Sequence, residues 1–201
     1  MTILDGLPTA ASACEKYPLL AAKVMNVIAS FSRLEALRLD LYLTILNTPD
    51  DKSVSRAYLS LDYGNAKNEF VDAIAKSKLG QNDWQYYEAI TKAIKSYKKK
   101  RDKLAHGYWG YNTGIKDALI LVNPKKVIGS IHNISENAMT KAQVYRAKDL
   151  DSMASENYHL CLALLLFSGI IDHHNSREAR DSLYAKLTEL PVIRDKIDHP
   201  A

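Results

Sequence analysis

At 201 residues, with 47% hydrophobic and 25% charged residues, the chain can bury one sizeable core and gives no reason to expect two domains. Eight glycines and six prolines are too few for an all-β fold of many tight turns, and a net charge of +4 permits a polyanionic partner without demanding one. Two distant cysteines, Cys14 and Cys161, exclude a disulfide framework and read as buried or free thiols.

The N-terminal MTILDGLPTA has neither a basic region nor a long apolar run, so no signal peptide is expected. After this short irregular start, Pro18 sits where helices accept proline, in a first turn. Leu20, Val24, Ile28, Phe31, Leu34, Leu41 and Ile45 then keep a helical spacing up to the break at Asn47-Thr48-Pro49. Such a helix spans roughly 45 Å and suits the spine of a bundle. From Ser53 to about Leu79 the pattern is again helical, with a break near Tyr63-Gly64 and a stop at Gly80. Asn82 is expected to cap the next helix, with Asp83 in its first turn, where the dipole favours a negative charge. Its apolar stripe runs Trp84, Tyr87, Ile90, Ile94, Tyr97, Leu104, with Arg101 in place of an apolar residue, and Gly107 ends it.

The period then changes. DALILV, 117–122, and KAQVY, 141–145, read as strands of a small β-hairpin inserted at about 115–146. Helical spacing returns from about Lys148 to a break at 172–176, and a last helix covers about 177–187 before a turn and a charged tail. Its most apolar run, 160–171, is short of the roughly 20 residues a bilayer requires. The expected architecture is an all-α helical bundle with a small β-hairpin insertion, one domain over 1–201 with its core at about 15–190, soluble and cytoplasmic.

Between Lys92 and Lys103 lie seven cations against one acid, Asp102. A basic helix end is ordinarily a solvated face that gains about 0.3–1 kcal/mol per cation from the dipole, and a histidine before glycine can cap free carbonyls. Three details point further. Arg101 lies on the apolar stripe, and a buried unpaired guanidinium is costly, so it needs a carboxylate, a partner chain or a phosphate. Asp102 and His106 are four apart and share a helix face, where the carboxylate would orient the imidazole. Tyr108, Trp109 and Tyr111 follow at once, and cations with rings suit single-stranded nucleic acid, holding phosphates and stacking on bases. Lys98, Lys99, Lys100, Lys103, Tyr108 and Trp109 are on this basis the candidate RNA-binding residues.

RDKLAHG, 101–107, also resembles the R-x4-6-H motif of HEPN domains, in which a polar residue follows the arginine; Asp102 fills that place, and Ala105-His106-Gly107 matches a frequent form of the motif's end. The layout over about 15–190 is similar as well: a long first helix, the motif at the end of a central helix, a β excursion, then a long helix opened by Tyr145, Asp149 and Leu150. The resemblance implies a HEPN-like bundle acting as a metal-independent endoribonuclease without cofactors, in toxin–antitoxin, phage-defence or RNA-processing systems. Its implied partners are RNA, a second copy of the chain and, for a toxin, an antitoxin protein; no membrane is involved. Two copies of the motif helix would form one composite site. There His106 would be general base or acid for attack of the ribose 2′-hydroxyl on phosphorus. Arg101 would hold the scissile phosphate and stabilise its developing charge, and Asp102 would position Arg101 or His106.

Helical geometry adds a condition. Five residues at about 100° each place Arg101 and His106 roughly 140° apart, so they meet on one phosphate only if the helix distorts near Gly107 or if they come from different subunits. HEPN domains that bind nucleotides or partners and cleave nothing supply the alternative, a non-catalytic module. A plain helical dimer with a solvated basic face is the third reading.

Elsewhere, Glu35 lies among Phe31, Leu34 and Leu37, either as a buried partner of Arg101 or as an exposed rim residue paired with Arg38. Asp172-His173-His174 lacks the spacing of helical zinc ligands, and helix-end capping accounts for it. His159 and His132 have no partner in sequence, and the tyrosines fall mostly on helix stripes as packing residues. There is no Gly-rich phosphate loop, CxxC pair or GxSxG turn, so neither P-loop nor serine-hydrolase chemistry is expected.

Overall fold

A computed structural model describes residues 10–61, 64–123, 142–194 and 196–197. The described residues are mostly helical: α1 Ala10–Lys16, α2 Pro18–Leu46, α3 Asp51–Leu59, α4 Gly64–Lys78, α5 Gln81–His106, α6 Ala147–Asp172, α7 Arg177–Glu189 and α8 Pro191–Arg194. A small antiparallel sheet of β1 Tyr108–Gly110, β2 Leu119–Val122 and β3 Gln143–Tyr145 stands between α5 and α6 in the chain. The chain divides into two compact units whose boundaries fall inside the three long helices: one holds 1–31 and 97–157, the other 32–96 and 158–201.

In the first unit, the buried residues of α2 (Leu20, Val24, Val27 and Phe31), of α5 (Tyr97 and Leu104) and of α6 (Leu150, Met153 and Asn157) follow the helical period that the apolar spacing predicts. Strand β2 is the centre of the sheet, with Trp109 of β1 opposite Leu121 on one side and Val144 of β3 opposite Ile120 on the other. All four β2 residues are buried, which is why LILV is a continuous apolar run and does not alternate. Helix α6 starts at a cap that the sequence spells out. Asp149 Oδ2 accepts the Arg146 N–H at 2.8 Å, and Tyr145 and Leu150 stand at the two positions of a hydrophobic staple. The Tyr-x-x-x-Asp-Leu segment is therefore a helix-start device.

In the second unit, Tyr42, Ile90, Phe167, Ile170 and Leu187 are among the most completely buried side chains. Asn47, with φ 47°, takes the left-handed conformation just after α2, which asparagine tolerates better than most residues. Asp50 and Ser176 cap α3 and α7, accepting N–H bonds from Ser53 and Ala179. Asp83 pairs with Arg180 at 2.7 Å and also takes the Tyr184 hydroxyl.

Four expectations are corrected. Residues 10–16 are helical where an irregular start was expected, because seven residues are too few to display a period. Helix α5 starts at Gln81, two residues earlier than a cap at Asn82 implies: the Trp84 N–H donates to the Gly80 carbonyl at 2.9 Å, so Gly80 occupies the cap and Asn82 lies within the first turn. The hairpin is a three-stranded sheet that begins at Tyr108. Helix α6, at 26 residues, is long and apolar enough to cross a membrane by length and composition, but it is only weakly apolar, and in both units its buried side chains belong to the core. Of the expected features, residues 124–141 of the β insertion (with His132 and Lys141), Tyr63 and the end of the charged tail lie outside the described residues.

Candidate active site

The stripe that buries Tyr97 and Leu104 carries Arg101 inward with them, leaving its side chain 23% exposed. The guanidinium carbon lies 5.0 Å from the centroid of the Phe31 ring, and Phe31 in turn stacks on Tyr97 at 6.1 Å. A cation over an aromatic face is worth about 0.5–1 kcal/mol when exposed and about 2 kcal/mol when desolvated, which offsets part of the cost of placing Arg101 there. Its Nη1 donates to Asp102 Oδ1 at 3.1 Å, while Nε is buried with no hydrogen-bond partner among the described residues. Asn157, in the same unit, donates from Nδ2 to the Ser30 carbonyl at 3.3 Å and holds a second unpartnered buried atom, the acceptor Oδ1.

Asp102 is engaged on both oxygens. Besides Arg101, it accepts from Lys98 Nζ at 2.6 Å. Partial burial pushes its carboxyl up, but the hydrogen bonds and charges of Lys98 and Arg101 together outweigh that and hold it below its ordinary value. His106 is exposed and has no hydrogen-bond or ion-pair partner among the described residues. Asp102 is thus placed to position Arg101, and the expected carboxylate–imidazole contact is absent among the described residues: one oxygen accepts from Lys98 and the other from Arg101.

Helix α5 stays α-helical through His106. The roughly 140° between Arg101 and His106 therefore holds, with the arginine directed to the core and the histidine to solvent. Gly107 follows the end of the helix, as expected. No described glycine has a positive φ. Instead, a Cβ at Gly107 would lie 2.1 Å from Leu121 Cδ1 and 2.7 Å from the Lys103 carbonyl oxygen, so only glycine lets β2 approach the helix end.

The basic run is less naked than its sequence suggests. Lys92 pairs with Glu88 at 3.4 Å, Lys95 with Asp72 at 3.2 Å, Lys98 and Arg101 with Asp102, and Lys100 with Glu156 at 2.7 Å. Lys99 and Lys103 have no carboxylate partner among the described residues. They fall with His106 at intervals of four and three, so the three share an exposed face of α5. Lys98 and Lys100 are half-exposed, and pairs of that kind are worth only about 0–1 kcal/mol, so a phosphate can compete for them.

Of the aromatic candidates, Tyr108 and Trp109 are half-buried in β1. Trp109 Nε1 donates to the Leu104 carbonyl at 3.0 Å, satisfying one of the free carbonyls at the end of α5, and its ring lies 5.7 Å from that of Tyr145. Within the chain the Trp109 ring thus caps and packs. Tyr111 meets Tyr17 edge-on and lies under Lys16 at 4.6 Å. Glu35 is exposed and has no ion pair among the described residues, since Arg38 bonds Asn68 at 2.6 Å; Arg101 finds its carboxylate in Asp102.

Asp172, His173 and His174 lie exposed at the end of α6, and no group of three His, Cys, Asp or Glu side chains among the described residues is placed to hold a metal. His159 packs against Tyr158. Cys14 is exposed and Cys161 buried, with burial pushing the Cys161 thiol up and Arg33 opposing it. Phe31 and Glu156 were missed as functional neighbours because each reads, in sequence, as an ordinary residue of its helix. No protein-family model, curated protein or solved structure matches the chain.

Proposed function

We propose that the chain is a metal-independent endoribonuclease of HEPN type, a homodimer acting on single-stranded RNA in the cytoplasm as a toxin or defence enzyme. The resemblance of RDKLAHG to the HEPN motif is one support. The observation that carries the rest is the regularity of α5 through His106, which keeps Arg101 and His106 of one chain on different sides of the helix. Groups so placed meet on one phosphate when they come from two chains.

In that arrangement each site pairs the Arg101 of one chain with the His106 of the other, and that His106 handles the proton transfers. It removes the proton from the ribose 2′-hydroxyl as its oxygen bonds to phosphorus, and it then gives that proton to the departing 5′-oxygen. The products are a 2′,3′-cyclic phosphate and a free 5′-hydroxyl, with no water or metal consumed. Arg101, positioned by Asp102 and the Phe31 ring, balances the charge that builds on the phosphoryl oxygens. Lys99 and Lys103 hold neighbouring phosphates.

A second reading, a non-catalytic module that binds RNA, a nucleotide or a protein, is favoured by one observation: no hydrogen bond or ion pair fixes the His106 ring among the described residues. RNA cleavage in excess EDTA, comparing the wild-type chain with His106→Ala, decides between them. The enzyme cuts and the variant only binds. Intact RNA with both proteins overturns the nuclease reading and leaves the module.

A further inference from the structure

A cavity of about 280 Å³ opens beside the outer face of α5, lined by Lys100 and Lys103 of that helix, Gln143 and Tyr145 of β3, and Asp149 and Met153 near the start of α6. Its size is at the lower end of small-molecule sites, which run roughly 300–1,000 Å³. The lining offers a definite set of contacts. Lys103 carries a charge with no carboxylate partner among the described residues, whereas Lys100 is tied to both oxygens of Glu156, at 2.7 and 3.0 Å. The Tyr145 ring is half-exposed and backed by Trp109.

Two polar groups at the wall are half used. Asp149 accepts the Arg146 N–H on one oxygen, Oδ2, leaving Oδ1 as a free acceptor among the described residues. Gln143 Oε1 accepts from the Tyr145 hydroxyl at 3.1 Å, leaving its amide N–H groups as free donors among the described residues. An aromatic face, an apolar side at Met153, one acceptor, one donor and one free cation are what a nucleotide requires: a surface to stack on, partners for a base edge, and a charge for a phosphate. Lys103 is also three residues from His106, on the same exposed face of α5.

We infer that this cavity is a nucleotide subsite of the RNA path, with one base stacked on Tyr145 and an adjoining phosphate on Lys103. It seats the nucleotide next to the scissile phosphate, where His106 moves the protons, and so sets where the strand is cut. The inference rests on the ribonuclease reading for its biological meaning, but the binding itself has a readout of its own.

That readout is the indole of Trp109 beside Tyr145. The full chain in a Trp84→Phe background is titrated with adenosine 5′-monophosphate, with ribose 5-phosphate as the base-less control, while indole fluorescence is followed. A saturable change is expected with the nucleotide and a much weaker one with the sugar phosphate. Tyr145→Phe keeps the binding, and Tyr145→Leu weakens it at least about tenfold, the scale of one lost base–aromatic stack. Lys103→Ala weakens it and flattens its salt dependence. If Tyr145→Leu does not fold, Lys103→Ala alone decides, because Lys103 is exposed and has no ion pair among the described residues.

Absence of a saturable change with any of the four ribonucleoside monophosphates at millimolar concentration overturns the subsite, as does wild-type affinity in both variants. Mapping the RNA cut sites of the same proteins separates this inference from the reading beneath it. Nucleotide binding that follows the pattern above in a chain that cuts no RNA leaves the subsite standing and removes the nuclease. Cleavage with unchanged cut sites and KM in both variants does the reverse.

Discussion

The Arg101 guanidinium lies over the Phe31 ring, 5.0 Å from its centroid, with Nη1 on Asp102, and these two contacts hold a permanent cation on a stripe otherwise given to the core. An arginine serves here where a lysine does not. Its flat guanidinium can lie on a ring and bond a carboxylate at its edge in the same pose, while an ammonium is a point charge with a strong need for water.

Arg101→Lys therefore tests the pose while conserving the charge. RNA cleavage is expected to fall by about 10²-fold, the scale seen when one positioned transition-state donor is lost, while the fold survives. Single-turnover cleavage rates beside a thermal melt make the measurement. A lysine variant that cuts like the wild type would show that charge alone is needed and that the ring contact is incidental.

Asp102 predicts a pH dependence of stability. Its folded-state pKa lies below the ordinary carboxylate value of about 3.9, so it adds stability above that pH and loses it as pH falls through the lower, folded value. Asp102→Asn should accordingly be less stable than the wild type near neutrality, by about 0–1 kcal/mol because the carboxylate is a third exposed, and the gap should close below roughly pH 4. Denaturant midpoints of both proteins from pH 7 to pH 3 measure it. A gap that stays constant with pH would mean the ion pairs contribute nothing and the difference comes from elsewhere.

The long helices were legible because their apolar residues recur every three or four positions over 26 to 29 residues, and a helix that long cannot hide its period. Strand β1 was not, because Tyr-Trp-Gly is too short to alternate and sits directly after a helix end. Arg101 stood out as a cation on an apolar stripe, but its companions did not, since Phe31 is 70 residues upstream and reads as plain core. The same holds for Glu156, 56 residues from Lys100. Local pattern told which residues turn inward; which carboxylate meets which cation is decided by tertiary packing and leaves no trace in spacing.

Gly107 is predicted to be intolerant of even a methyl group. A Cβ there meets Leu121 Cδ1 at 2.1 Å and the Lys103 carbonyl oxygen at 2.7 Å, and the second neighbour is backbone that cannot turn aside. Gly107→Ala should cost about 1–3 kcal/mol, the usual range for overpacking, and should move the end of α5 that carries His106. Adding Leu121→Ala should relieve only part of the strain, so the double variant should be more stable than the sum of the single losses predicts. Chemical denaturation of the four proteins gives the cycle. An alanine variant as stable as the wild type would refute the close approach of β2 to the helix end.

The angle between Arg101 and His106 yields the most direct test of the composite site. Arg101→Ala and His106→Ala are each expected to abolish cleavage. In a dimer whose sites take the arginine from one chain and the histidine from the other, a mixed dimer of the two variants has one site lacking both groups and one site with both intact. Equal mixing with free exchange of subunits makes half the dimers mixed, so about a quarter of wild-type activity should return in a two-fold symmetric assembly. If both groups of a site belong to one chain, mixing restores nothing, because every chain present lacks one of them. Recovery must also require exchange, appearing after the proteins are dissociated and reassembled together and not when each is reassembled alone. Two dead variants that stay dead through that procedure, with mixed dimers verified by mass, would sink the two-chain site and leave the straightness of α5 as evidence against any joint action of Arg101 and His106.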